Sequence, residues 1–547
     1  MGLRDQWYEN AIIYCLDVET FADGNGDGIG DFPGLTRRLD YLSGLGVTCL
    51  WLMPFYPSPN GDDGYDICDY GAVDPRYGTM ADFAEFMVEA GERGLHVVID
   101  LVPNHSSIEH PWFQAARSDP ASPYRDYYVW RDDDPGDTSD QVVFPGEQKG
   151  IWSWDEAAQA YYLHHFYEFQ PDLNFANPAV REEFRKYMGL WLQLGVDGFR
   201  VDAAPFLIKL TGVEGVRGMD VAHEFLAELR NFAVVRKGNA VLLGEVDEGL
   251  STLADYFGGG NQLQALFNFP LNRFVFLGLA QESADPIAFG LQQLPTIPDN
   301  GQWVNFLRHH DELNLSRLTK DQREQIFAAF GPEPEMQVYD RGLRRRLAPM
   351  LGGDQQRIRL AYSVLFSLPG APMLFYGEEI GMGEQPALKG RMAVRAPMQW
   401  TSYDHGGFSS APPERLVRPM LAEGDFGFEQ VSVSAQRGDR DSLLNWLTRL
   451  IRARRECGEI GTGKWAALKT GSDAVLGLRY DVEDSAILVL NNLSGARQTV
   501  SLEVSEKEAA ATTDLFGDRA YEPLDRAKPR VRLEGYGYRW MRLGGVY

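Results

Sequence analysis

Eight short apolar runs recur along the 547 residues. They are Ala11–Val18, Val47–Met53, Leu95–Val102, Asp197–Val201, Ala240–Leu243, Leu263–Phe269, Trp303–Leu307 and Pro372–Phe375. Most are followed by a segment with helical spacing, such as Leu35, Leu39, Leu42 and Leu45 within 33–45. Phe83, Phe86, Met87 and Ala90 recur in the same way within 80–93. Strands that are apolar throughout, alternating with helices, predict a parallel sheet covered on its outer face. Eight of them match the count of a (β/α)₈ barrel. A doubly wound open sheet is the alternative, and it would gather its site at a single switch point.

The runs end in polar residues. Gly195-Val-Asp-Gly-Phe-Arg200-Val-Asp202-Ala-Ala204 places an arginine and an aspartate inside an otherwise apolar strand. Charges are costly to take out of water unless they are paired or have a task. An arginine–aspartate salt bridge at a strand end would explain this pair on its own. Other runs, however, end at His105, Glu245, His310 and Asp311. In a barrel, chemistry gathers at the C-terminal strand ends. These residues are therefore expected to face one pocket.

Three interruptions shape the rest. Residues 104–171 lose the rhythm and are rich in Asp, Pro, Tyr and Trp, which predicts an inserted domain B after the third strand. Residues 312–354 form a long excursion after the seventh strand, read either as a lid or as a surface loop. From residue 458 the pattern alternates, as in Ala474–Tyr480 and Ala486–Asn491, which predicts a C-terminal antiparallel β-domain. The expected division is 1–103 and 172–457 for the barrel, 104–171 for domain B, and 458–547 for the terminal domain.

Composition narrows the partners. A formal net charge of −26 disfavours nucleic acid and anionic membranes, both of which need clustered Lys and Arg. A neutral small molecule suits it better, and 24 Tyr and 12 Trp offer rings that could stack on sugars. The four cysteines have no metal-site spacing, and Cys15 and Cys49 read as small hydrophobes. No apolar run is long enough to span a bilayer, and Met-Gly-Leu-Arg-Asp-Gln-Trp shows no export-signal core. A reducing cytoplasm is the expected compartment. Association with identical copies stays open.

Three carboxylates sharing one pocket would differ in proton affinity. One would stay ionised as a nucleophile and one protonated as a general acid. That arrangement cleaves a glycosidic bond with retention, with carboxyls about 5–5.5 Å apart. A third carboxylate would stabilise the positive transition state. Arg200 would keep Asp202 ionised, and His105 and His310 would meet sugar hydroxyls. Separately, Asp23, Asn25, Asp27, Ile29 and Asp31 set oxygen ligands at alternate positions. Without a carboxylate at the twelfth position, this is a single calcium (or magnesium) loop rather than an EF-hand. An ion-free Asx-turn loop is the other reading.

Asp100-Leu-Val-Pro-Asn-His105, Gly198-Phe-Arg-Val-Asp202, Gly244-Glu245-Val and His309-His310-Asp311 resemble, in order, the four short motifs of glycoside hydrolase family 13, the α-amylase family. The resemblance runs from Trp7 to about Trp400. It implies Asp202 as nucleophile, Glu245 as acid/base and Asp311 as transition-state stabiliser. Tyr65 and Asp66 would join His105, Arg200 and His310 around the innermost sugar. A second calcium would sit between Asn104 and Asp172. Either ion would be structural, and no organic cofactor is implied. Phe55-Tyr-Pro-Ser-Pro59, Gln170-Pro-Asp-Leu-Asn174, Ile380-Gly-Met-Gly383 and Ala396-Pro-Met-Gln-Trp400 are most similar to trehalose synthases and intracellular α-glucosidases. Ala203 resembles members acting on α-1,4 bonds. Two stretches depart from that pattern: Val246-Asp247-Glu248, and Glu384 to Ala393. The expected activity is maltose–trehalose interconversion, with α-glucosidase hydrolysis of maltose, trehalose or short malto-oligosaccharides as the alternative. An endo-acting amylase and a non-catalytic sugar-binding protein stand behind both.

Overall fold

The computed structural model describes residues 6–208, 220–482 and 485–544. Its centre is a closed barrel of eight parallel strands. They are β1 (Ile13–Leu16), β2 (Cys49–Leu52), β3 (His96–Leu101), β4 (Gly198–Val201), β5 (Val241–Gly244), β6 (Ala265–Phe267), β7 (Gln302–Phe306) and β8 (Ala371–Phe375). Each expected apolar run covers one of them to within a residue, and the open-sheet alternative falls because β1 pairs with both β2 and β8. Cys15 and Cys49 are free and buried within β1 and β2.

The register places the polar ends. Val201 of β4 lies opposite Gly244 of β5. The next residues on each strand are Asp202 and Glu245, so these carboxylates leave neighbouring strand ends, about 5 Å apart at the backbone. Gly198 is needed for this approach, because a Cβ there would sit 2.3 Å from the Val241 carbonyl oxygen. Asp100 of β3 lies opposite Arg200 of β4.

The helices form where the spacing placed them, with one difference. The helix expected over 33–45 is two helices, Phe32–Thr36 and Leu39–Leu45. Side chains compete for carbonyls at the break: Thr36 Oγ1 donates to Phe32 O at 2.8 Å and Arg37 Nε donates to Pro33 O at 3.1 Å.

The segment after β3 contains a small antiparallel sheet, ordered 130–131, 160–163, 152–155. The excursion after β7 contains the helix Lys320–Phe330 and three very short strands at 313–314, 337–338 and 342–343. It reaches the inserted segment, where Tyr339 packs on Phe144 at 5.1 Å between ring centroids. The terminal residues form an antiparallel five-stranded sheet and a two-stranded one. They dock on the helix Gln355–Ser367 before β8. Trp540 donates its indole N–H to Ser363 Oγ at 2.9 Å, and Ser363 donates to Asn491 at 2.6 Å.

Candidate active site

At the C-terminal ends of the strands lies a cavity of about 860 Å³. Glu245 and Asp311 line it, together with residues of the inserted segment and of the excursion. Asp202, 6 % exposed, immediately precedes Ala203, which lines the cavity. Arg200 ties Asp202 to Glu245, which does line the cavity. Its guanidinium bonds Asp202, Asp100 (2.6 Å) and Glu245 (2.8 Å), and it is itself 1 % exposed. Tyr65 OH stands 3.4 Å from Arg200 and 2.9 Å from His310 Nε2, which lies 3.1 Å from Asp311. One chain of contacts thus joins residues 202, 245 and 311, which span 109 positions of the sequence.

The backbone after Asp202 is strained to serve this chain. Ala203 has φ +47°, a left-handed conformation that costs an alanine about 1 kcal/mol or more. That turn points its N–H at Glu245 Oε2, 3.0 Å away.

The three carboxyls have different proton affinities. Burial pushes Asp202 up to about 6, with Arg200 opposing and Asp100 adding to the rise. Arg200 therefore limits the shift rather than abolishing it, because it is shared among three carboxylates. Burial likewise lifts Glu245 to about 7, with Asp202 and Asp311 raising it further against Arg200. Burial would also raise Asp311, but Arg391, His310 and Arg395 overcome it and hold the group well below the usual carboxylate range. Burial pushes His310 down to about 4, so its imidazole is neutral near pH 7.

The remaining expected residues divide. His105 is buried, and its Nε2 has no hydrogen-bond partner among the described residues; the same holds for His310 Nδ1. Both atoms are buried, and neither residue lines the cavity. Asp66 is not placed to meet a sugar. Its oxygens accept from Ser58 Oγ (2.9 Å) and from the amides of Gly61 (2.9 Å) and Asp62 (3.1 Å), so it organises its own loop. Asp62 reaches the site in its stead. Arg391 bonds Asp62 with one nitrogen and Asp311 with the other, the latter at 2.9 Å. Arg395, fully buried, bonds Asp311 at 2.8 Å and also Asp63. Asp62, Asp63, Arg391 and Arg395 escaped sequence reasoning. The available signal was Arg395 amid Ala393-Val394 and Ala396, a charge in an apolar run, as at Arg200.

The 23–31 loop and the Asn104–Asp172 pair answer the metal expectations differently. In the loop, Asp23 accepts from the amides of Asn25, Gly26 and Gly28, and Asp27 accepts from that of Ile29. Asp31 accepts from the amides of Gly24 and Gly34. Ser409 Oγ also donates to Asp23, so both oxygens of that carboxylate are engaged, whereas Asp27 and Asp31 keep lone pairs; the donor set is all oxygen, the chemistry a hard divalent cation requires. Asn104 and Asp172 are already joined. Asn104 donates its amide to Asp172 at 3.3 Å, and His165 donates its main-chain N–H at 3.1 Å and adds a ring contact. Donors occupy both carboxylate oxygens, and the link that calcium was expected to make is made directly. The acidic triad Asp17, Glu19 and Asp63 holds the Arg418 guanidinium.

A family model described as alpha amylase, catalytic domain, matches residues 15–463. A trehalose synthase of Pimelobacter sp. (strain R48) is 40 % identical, covering 99 % of this chain and 97 % of that protein. A trehalose synthase/amylase of Mycobacterium tuberculosis is 39 % identical over 98 % of this chain and 90 % of its own length. Among solved structures, the alpha-amylase from H. orenii superposes with a TM-score of 0.80 at 29 % identity, covering 97 % of this chain and 99 % of that one.

Proposed function

Because the chain belongs to the α-amylase family, we propose that its cavity carries out retaining chemistry on small α-glucosides, interconverting maltose and trehalose by intramolecular glucosyl transfer. The observation that carries this reading is the ordered set of carboxyls around Arg200. Asp202 is the more readily ionised of the Asp202–Glu245 pair, and Arg200 holds the two side by side. Its oxygen attacks the anomeric carbon while the bond to the leaving glucose oxygen breaks. Glu245 gives its proton to that oxygen. A glucosyl ester on Asp202 results. The freed glucose turns, Glu245 takes back a proton from its anomeric hydroxyl, and that oxygen displaces Asp202. Asp311, held ionised by Arg391 and Arg395, stabilises the positive charge that develops in both steps. His105 Nε2 and His310 Nδ1, buried without a partner among the described residues, are the ring nitrogens we assign to sugar hydroxyls.

Water is the competing acceptor, and its attack gives hydrolysis. The Tyr339–Phe144 contact closes the excursion onto the inserted segment, and Arg391 lies 4.8 Å from the Phe144 ring. Both contacts restrict entry of water and exit of glucose. This favours isomerisation over the α-glucosidase reading.

The test resolves the sugars formed from pure maltose across a pH series. Trehalose should exceed free glucose. Activity should rise as Asp202 ionises near pH 6 and fall as Glu245 deprotonates near pH 7, giving a narrow bell for the coupled pair. Glucose as sole product would shift the assignment to hydrolysis, and no conversion of maltose or trehalose would overturn it.

We further infer that the 23–31 loop binds a structural calcium or magnesium ion, held by Asp23, Asn25, Asp27, Asp31 and the Ile29 carbonyl. Chelation should lower the melting temperature by about 5 °C. Asp23→Asn should remove the response to added calcium, and an unchanged response would exclude the loop as the site.

Among the described residues no helix is long and apolar enough to cross a membrane.

A further inference from the structure

The inserted sheet has one packed face and one open one. Trp130, Ser153 and Tyr162 share a face by register. That face is covered: Phe113 stacks on Trp130 at 5.5 Å and meets Tyr162 edge-on at 5.2 Å. Arg131, Tyr161 and Trp154 lie side by side on the other face, and Trp152 is two residues before Trp154 on the same strand. Successive residues of a strand alternate sides, so these four residues share the uncovered face.

Trp154 is 44 % exposed and stands on an edge strand. An exposed indole forgoes the largest burial any side chain can offer, and edge strands usually carry charge instead. The ring is nevertheless fixed. Its N–H donates to Glu156 at 2.9 Å, and Tyr161 meets it edge-on at 5.0 Å. Arg131 lies 5.5 Å from the Trp152 ring. Arg131 and Trp152 also line the cavity. The aromatic row therefore begins inside the catalytic cavity and runs outward onto the surface.

We propose that this face is a binding surface for an α-glucan chain, with Trp154 as the outer stacking platform and Tyr161, Trp152 and Arg131 leading to the cavity. The proposal rests on reading the cavity as an α-glucoside site and extends it to longer substrates. A sugar presents an apolar ring face to aromatic carbon and hydroxyls to nearby polar groups, and the row offers both. A second copy of this chain suits the face less well. Asp132, Asp133 and Asp134 are exposed beside it and would oppose their own images across a two-fold interface.

The test uses Asp202→Asn protein, so that sugars are bound without being consumed, and titrates maltoheptaose and maltose by calorimetry. Adding Trp154→Ala should weaken maltoheptaose binding about tenfold and leave maltose within twofold, while Trp154→Phe should retain most of the affinity. Equal binding of maltoheptaose with and without Trp154, or equal weakening of both sugars, would overturn the proposal. So would a Trp154→Ala change in sedimentation with maltoheptaose binding intact, which would assign the face to a second copy. Cellohexaose binding as tightly as maltoheptaose would overturn the α-glucan assignment. These readouts are of binding alone, so they stand even if maltose proves not to be isomerised.

Discussion

Asp202→Asn should lower turnover of maltose and trehalose by about 10⁴-fold or more, because the covalent step loses its only nucleophile. The substitution is nearly isosteric, and Arg200 retains Asp100 and Glu245 as partners. The fold should therefore persist, with melting temperature and maltose binding close to those of the parent. Replacing the buried carboxylate also removes a charge beside Glu245, so the acid limb of the pH profile should vanish in the residual activity. Retained turnover in the variant would remove Asp202 from the role.

Glu245→Gln should cost about 10²- to 10⁴-fold on maltose. The loss should shrink sharply on α-glucosyl fluoride, whose leaving group needs no proton. In that assay Asp202 can still form the ester, and small anions such as azide should restore release of the sugar. An equal loss on both substrates would make Glu245 a positioning group. The neighbouring Ala203 amide bonds the same oxygen that Arg200 does, and a glutamine nitrogen there would meet two donors. The amide is thus expected to turn, which confines the change to the side chain.

The barrel was legible because its strands are buried on both faces, and such strands are apolar without interruption. The split of the 33–45 helix was not, because its spacing is intact and the break comes from Thr36 and Arg37 reaching for carbonyls. Within the site, the residues that end strands announced themselves: Asp202, Glu245 and Asp311. Those that act by pairing across the chain did not. Arg391 meets Asp62 and Arg395 meets Asp63 across more than 300 residues, and nothing local in either segment marks its partner. Asp66 shows the converse error. It stands beside Tyr65 in a quoted motif, yet its carboxylate is spent on the amides of its own loop.

Closure of the barrel through β1 and β8 has a consequence for synthesis on the ribosome. Ile13 pairs with Met373, 360 positions later. At about 5–20 residues per second, the first strand waits about 20–70 s before its second neighbour emerges. Throughout that interval a bare, wholly apolar edge must be shielded by chaperones or by provisional contacts, so expression yield should respond to translation speed and chaperone supply more than to the stability of the finished molecule.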